Sequence, residues 1–204
     1  MRVFYRNFFK RFLDTCVAVI LGILLSWVLV IVAILVKLTS KGPIFFKQER
    51  FGLNSKPFTL YKFRSMTNGA PIKANSEFED IASYVTPFGM FIRKASIDEL
   101  PQLWNIIKGD MSFIGPRPLA ITDVFVIEER KKTGADKVRP GITGLAQVNG
   151  RNMVLDSEKV MYDTIYANNI FFLLDVKIFL LTVVHVFLGT GINYTKKDRD
   201  NEAK

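Results

Sequence analysis

Cysteine and histidine are almost absent from this chain, with Cys16 and His185 the only examples. A single cysteine excludes an internal disulfide and gives no sign of an oxidising compartment. One of each also excludes a zinc site of the usual ligand types, so any metal would be a hard cation held by oxygen. Acidic residues are outnumbered by basic ones, 19 to 28, which leaves a net charge of +9. That imbalance points to an anionic partner: nucleic acid, an acidic lipid surface or a phosphorylated substrate. The nucleotide-binding patterns GxGxxG and GxxxxGKT do not occur, and no internal repeat is present. What the chain has in quantity is apolar surface. It is 49% hydrophobic with 18 Phe, and its mean hydropathy is +0.19. This is rich for a soluble protein and poor for one with many spans. A length of 204 residues suits one domain, or one domain plus an anchor.

No charge occurs in residues 15–36, and no proline either. About 20 apolar residues are enough to enter a bilayer, and no small-x-small cleavage pattern marks a signal peptide. Arg2, Arg6, Lys10 and Arg11 precede the run among aromatics, as in a basic amphipathic helix at the headgroups. Lys37, Lys41, Lys47 and Arg50 follow it. Cations on both flanks ask both ends to stay on the cytoplasmic side. The expectation is therefore a re-entrant helix hairpin, for which Gly22 and Ser26 are the bend-permitting residues.

Residues 44–46 and 58–61 read as short strands around the turn material Gly52-Leu53-Asn54-Ser55, giving a β-hairpin. Residues 65–80 read as a loop. Thr86-Pro87 opens a short helix over 88–94. A second helix is expected from Ser96 to near Gly109, with Leu100, Leu103, Ile106 and Ile107 facing a core. Further helices are expected over 119–133 and 155–168. The apolar stretch 170–188 is broken by Asp175, Lys177 and His185, so it is a core or half-sunk helix, and His185 is read as a core or interfacial histidine. The tail from Thr195 is charged and reads as disordered.

The stretch 93–118, RKASIDELPQLWNIIKGDMSFIGPRP, carries two competing readings. Ser96-x-x-Glu99 is a capping box, with Asp98 favouring the positive end of a helix dipole. Alternatively, Asp98 and Glu99 beside Arg93, Lys94 and a proline-flanked Arg117 suit phosphate chemistry, a carboxylate carrying a divalent metal while arginines bind phosphoryl oxygens. The segment Arg139-Pro140-Gly141-Ile142-Thr143-Gly144, with Arg151 beyond it, is a Pro-Gly turn that either lets backbone amides approach an anion or is a solvated surface turn.

Taken together, YKFRSM at 61–66, SIDELPQL at 96–103, KGDMSFIGPRP at 108–118, RPGITG at 139–144 with Gln147 and Asn149-Gly150-Arg151, and LDVK at 174–177 resemble the bacterial sugar transferase family in its small monotopic phosphoglycosyl transferase form. The motifs keep the family's order over nearly the whole chain. The resemblance implies a phosphosugar moved from a UDP-sugar to polyprenyl (undecaprenyl) phosphate, with release of UMP. It implies that Asp98 is the nucleophile of a covalent intermediate, that Glu99 completes the dyad, and that Mg2+ is held at Asp98. Arg93 and Arg117 are assigned to phosphate or nucleotide binding, with Lys62, Arg139 and Arg151 beside them and Asp175 orienting one of these cations. The implied setting is the cytoplasmic face of a bacterial inner membrane, in contact with phospholipid, with no nucleic acid partner; an oligomer is compatible with the sequence. The expected architecture is α/β but mostly helical and not a Rossmann fold. It comprises a re-entrant helix at 1–40, a catalytic domain at 41–192 with a small β-hairpin and several amphipathic or interfacial helices, and a tail at 193–204. One departure stands out: the family's hairpin bends at a serine followed by proline, whereas Ser26 precedes Trp27. Two rival classes remain: a glycosyl transferase releasing UDP, and a basic membrane-anchored module without activity.

Overall fold

The apolar N-terminal run folds as two helices. α1 (Lys10–Leu24) and α2 (Ser26–Thr39) meet at a bend of 63°, and a π-helical segment, Tyr5–Phe9, leads into α1. The computed structural model describes residues 4–70, 82–150 and 154–188; Arg2, most of the 65–80 loop, Arg151 and the charged tail lie outside them. The break falls at Leu25 (φ −96°, ψ 7°) without a proline. Ser26 contributes by donating its hydroxyl to the Ile23 carbonyl at 2.8 Å, replacing a backbone donor lost at the break. Gly22, the other expected hinge, lies within α1. Among the described residues no single helix is long and apolar enough to cross a membrane. The outer surface of the pair is nonetheless apolar: Ile23, Leu24, Trp27 and Leu38 are exposed, while Ala18, Val32 and Val36 are buried against the rest of the chain.

β1 (Phe45–Phe51) and β2 (Pro57–Phe63) form the expected antiparallel hairpin, longer than the sequence suggested, in register from Phe45↔Phe63 to Phe51↔Pro57. Its turn places Asn54 and Ser55 at φ 55° and 53°, a region that asparagine tolerates better than most residues. In β1 the half-buried positions alternate with exposed ones, so Phe46, Gln48 and Arg50 share the inner face.

α3 (Pro87–Lys94) starts as expected, with Pro87 at its first position and Thr86 Oγ accepting from the Gly89 amide at 2.9 Å. α4 (Gln102–Lys108) packs Leu103 and Ile106 with Ala18 of α1, Leu60 of β2 and Met111. A second core joins Val32 and Val36 of α2 to Phe63 and Ile92, so the hairpin, β2 and α3 are fixed together. The remaining helices are α5 (Val124–Thr133), the short α6 (Leu145–Val148), α7 (Asp156–Asn168) and α8 (Phe172–Leu188). α8 buries Ile178 yet exposes Leu173 and Leu180.

One pairing was not expected. β3 (Ser112–Ile114) runs parallel to β4 (Gly141–Thr143), and β4 falls in the segment read as a Pro-Gly turn. Three-residue strands are too short to show a period-two pattern. The glycines serve backbone packing here: a Cβ on Gly115 would stand 2.3 Å from the Arg139 carbonyl oxygen, and one on Gly141 would stand 2.2 Å from the Gly115 nitrogen. Gly141 and Gly144 are buried, so neither an open anion loop nor a solvated turn describes this segment.

Candidate active site

The acidic pair does not sit in a capping box. Ser96 has left-handed backbone angles (φ 55°, ψ 19°), and its side chain caps nothing. Its amide is already bonded to the Arg93 carbonyl at 3.0 Å, at the end of α3. The single helix expected from Ser96 is instead a 3₁₀ turn, Ile97–Glu99, followed by α4 from Gln102. The physical reason is Pro101. Lacking an N–H, it cannot donate to the Ile97 carbonyl, so a continuous helix from Ser96 fails one turn in. Asp98 and Glu99 therefore sit on a tight corner between α3 and α4.

Five of the candidate residues meet at this corner. Lys62, near the end of β2, bonds the Glu99 carboxylate at 2.5 Å. Arg93, in the last turn of α3, and Arg117 both carry positive potential to the pair. Asp98 is 9% exposed and has no side-chain donor among the described residues. Burial pushes its carboxyl up; Lys62 draws it down, the negative Glu99 raises it again and Arg93 lowers it, leaving it at about 6 against an ordinary 3.8. Glu99 goes the other way. Burial alone would raise it, but Lys62, then Arg117 and Arg93, hold it below its ordinary value. Two adjacent carboxyls thus divide the work: Glu99 is the fixed anion of an ion pair, and Asp98 is an unpaired carboxylate that titrates just below neutrality.

Arg117 is exposed but not loosely attached. Pro116 and Pro118 fix the chain on either side. Its carbonyl accepts a bond of 2.9 Å from Arg130 Nη1, and Arg130 is itself bound through Nε and Nη2 to Asp163. Arg130 is 6% exposed and Asp163 1%. The sequence reading took Arg130 only as part of the basic end, Arg130-Lys131-Lys132, of the helix over 119–133, and assigned it no role. The available signal was the period of α5, which puts Arg130 in phase with the buried Val126 and Ile127.

The other candidates lie elsewhere. Arg139 donates to the Gly109 carbonyl at 3.0 Å, while Arg11 donates to the carbonyls of Ile106 and Ile107, so both cap the C-terminal end of α4. Among the described residues Asp175 orients none of the arginines. It is buried, and accepts from Tyr5 Oη at 2.6 Å, Lys10 Nζ at 2.8 Å and Tyr166 Oη at 2.8 Å, tying the N-terminal segment to α7 and α8. A helix that is apolar around an acid needs such partners, since an unpaired carboxylate there would be costly. Two of the four N-terminal cations counted for topology, Lys10 and Arg11, are therefore engaged inside the protein. Arg151 lies outside the described residues.

An ionisable carboxylate with a free edge, ringed by fixed cations, has the chemistry of a group-transfer site for phosphate. Comparison with known proteins agrees at the level of family: the model of the bacterial sugar transferases matches residues 5–189, and the chain belongs to that family. It is 44% identical over 186 residues to the uncharacterized sugar transferase EpsL of Bacillus subtilis, covering 91% of each chain. It is 36% identical to the exopolysaccharide production protein ExoY of Sinorhizobium fredii, over 89% of this chain and 87% of that one. It is also 40% identical to a UDP-glucose:undecaprenyl-phosphate glucose-1-phosphate transferase of Klebsiella pneumoniae, where the match covers 89% of this chain but 40% of the relative's length.

Proposed function

We propose that the chain is a phosphoglycosyl transferase that moves a phosphosugar from a UDP-sugar to a polyprenyl phosphate and releases UMP. The observation that carries this reading is the unpaired Asp98 beside the Lys62–Glu99 ion pair, in a ring completed by Arg93 and Arg117. The names of several relatives, which specify a UDP-sugar and undecaprenyl phosphate, support the substrate pair.

In the first step an oxygen of ionised Asp98 attacks the phosphorus that bears the sugar. The bond from that phosphorus to the bridging oxygen breaks, and the oxygen leaves as part of UMP. In the second step a phosphate oxygen of the lipid attacks the aspartyl-phosphosugar, the acyl–phosphate bond breaks at phosphorus, and the Asp98 carboxylate is restored. Arg93 and Arg117 stabilise the equatorial oxygens as charge shifts onto them. Lys62 holds Glu99, which keeps a negative charge against Asp98 and maintains its basicity.

Among the described residues no group of three or more acidic, histidine or cysteine side chains is suited to a metal. Mg2+ is commonly held by one or two carboxylates with water and substrate phosphates filling the remaining positions, a role the Asp98–Glu99 pair could serve. Asp98 would hold it, with Glu99 adjacent, and when bound it would offset the charge of the diphosphate.

The bent α1–α2 pair is read as a re-entrant hairpin that enters one leaflet and returns, leaving the site on the cytoplasmic face of a bacterial inner membrane, against phospholipid. The exposed apolar residues around the bend support this reading. For topology, a cysteine introduced before Arg2 and another after Lys41 should show the same sidedness to an impermeant thiol reagent; opposite sidedness means a straight span.

The activity test is to incubate the purified chain with a panel of UDP-sugars, polyprenyl phosphate and magnesium. UMP should accumulate, and Asp98→Asn should abolish it while remaining folded. Release of UDP would identify a glycosyl transferase instead, and turnover retained in Asp98→Asn would sink the nucleophile assignment.

A further inference from the structure

A fourth cation, after Lys62, Arg93 and Arg117, neighbours Arg117. Arg50 is on the inner face of β1, where Phe46 is paired with Lys62 of β2 and Arg50 with Phe58. Lys62 and Arg50 thus stand at opposite ends of one hairpin face, about 13 Å apart along the strand at 3.3 Å per residue. Both are long enough to close much of that distance. Immediately after Arg50 the edge of β1 is fastened to the chain that carries Arg117: the Phe51 amide donates to the Leu119 carbonyl at 2.9 Å, and the two residues form an antiparallel bridge.

The surroundings of Arg50 are short of negative charge. Its Nε and Nη2 donate to a neutral acceptor, Gln48 Oε1, at 3.1 and 2.6 Å. Among the described residues it makes no ion pair; Asp123, a carboxylate that favours its charge, is itself bonded to the Ala120 amide at 2.7 Å. Burial and the neighbouring Arg117 both disfavour its charge. A half-buried guanidinium beside a second guanidinium, oriented by a glutamine and in no ion pair among the described residues, is set up to receive an anion.

Accepting the transfer reaction proposed above, we infer that Arg50, oriented by Gln48, closes with Arg117 on the phosphate of the departing nucleotide. The phosphate under attack lies at Asp98, between Arg93 and Arg117. The next phosphate of the donor is one bridging oxygen away, on the side where Arg117 meets Arg50. Arg117 then spans both phosphates, and Arg50 holds the one that leaves with uridine. Gln48 restricts the Arg50 side chain, so less conformational freedom is lost when the ligand binds.

The test compares wild type, Arg50→Gln, Arg50→Lys and Gln48→Leu as full-length membrane protein, using UMP as the probe. Loss of a charge-assisted bond to phosphate should weaken UMP binding about tenfold or more in Arg50→Gln. The same factor should appear in the UMP inhibition constant and in KM for the UDP-sugar, with a smaller change in kcat. Gln48→Leu should lie between wild type and Arg50→Gln, as should Arg50→Lys, which keeps the charge without the fork. The shift of the unfolding midpoint by saturating UMP, present in wild type, should shrink in the same order, which a merely structural role for Arg50 would not produce. UMP affinity and donor KM within twofold of wild type in both Arg50 variants would overturn the inference. Failure of the underlying reaction is distinguishable, because wild type itself would then release no UMP.

Discussion

The ionisation of Asp98 can be read directly from the rate. A carboxyl raised from 3.8 to about 6 has its charged form disfavoured by roughly 3 kcal/mol, at 1.36 kcal/mol per pKa unit. If the attacking group is that carboxylate, kcat/KM for the UDP-sugar, extrapolated to low magnesium, should be flat above neutrality and fall with acid through about pH 6. It should reach about a tenth of its plateau one unit lower. Magnesium held at Asp98 should carry the limb lower. The parameter matters, because kcat/KM for the donor contains only the first half-reaction. The donor diphosphate does not titrate in this range, whereas the lipid phosphate, with a second pKa near 6, does. Two substitutions should move the limb in opposite directions. Lys62→Met removes a cation that lowers Asp98, so the limb should rise. Glu99→Gln removes an anion that raises Asp98 and also frees Lys62, so the limb should fall. Charges at this range move a carboxyl by about one unit or more, which a pH series resolves. A limb that stays in place in both variants, or moves the same way in both, would refute the assignment of the ionisation to Asp98.

Three other outcomes follow from the same geometry. Asp98→Asn should lose turnover yet raise the unfolding midpoint at pH 7.5: a group with a raised folded pKa stabilises fully below 3.8 and loses that contribution as pH passes about 6, so its neutral replacement relieves up to roughly 3 kcal/mol. Thermal unfolding of the two proteins at pH 5 and 7.5 checks this, the difference being smaller at pH 5. Asp163→Asn should cost about 3–5 kcal/mol by leaving Arg130 buried without its partner, whereas Arg130→Met combined with Asp163→Leu should recover much of the stability but still transfer slowly, because the Arg117 carbonyl has lost its donor. Gly141→Ala should give little folded protein, since its methyl would fall 2.2 Å from the Gly115 nitrogen; a folded yield like that of wild type would contradict the close approach of β3 and β4.

Elements with a long or punctuated pattern were legible in the sequence. Thr86-Pro87 marked a helix start that the structure reproduces, and two short β-type runs around the turn residues 52–55 marked the hairpin. Lys62, Asp98, Glu99 and Arg117 were named through the family motifs that hold them, and Arg93 through the basic run just before the acidic pair. What failed was inference from local chemistry to local geometry. Ser96-x-x-Glu99 satisfies the capping pattern, but Pro101 removes the helix it would cap and Lys62 takes the glutamate. Arg139 was named because it flanks a Pro-Gly turn within a family motif, and Asp175 because it is an acid on an apolar helix; both hold elements together, one at the end of α4 and the other at the N-terminal segment. Arg130 was overlooked for a different reason. A basic run reads as solvated unless its phase against the buried stripe is counted.

The same strand that supplies Lys62 also fixes how the site stands relative to the apolar hairpin. Two residues beyond Lys62, Arg64 is 6% exposed, and its Nη2 donates to the Ser40 carbonyl and hydroxyl, both at 2.7 Å, and to the Val36 carbonyl at 3.3 Å. It therefore caps the last turn of α2, where unpaired carbonyls and the negative end of the helix dipole both favour a cation. Phe63, between the two cations, packs on Val32 and Val36 of that helix. The end of α2 and the Glu99 carboxylate are thus gripped by positions about 7 Å apart on one extended strand. If α1 and α2 enter the bilayer as proposed, their depth sets the height of Asp98 above the lipid through this short and stiff connection. A water-soluble donor and a membrane-bound acceptor can meet only near the headgroups, so a reaction between them needs its nucleophile held at that level. On that proposal, the Lys62-Phe63-Arg64 tripeptide would set that height through packing, capping and one ion pair.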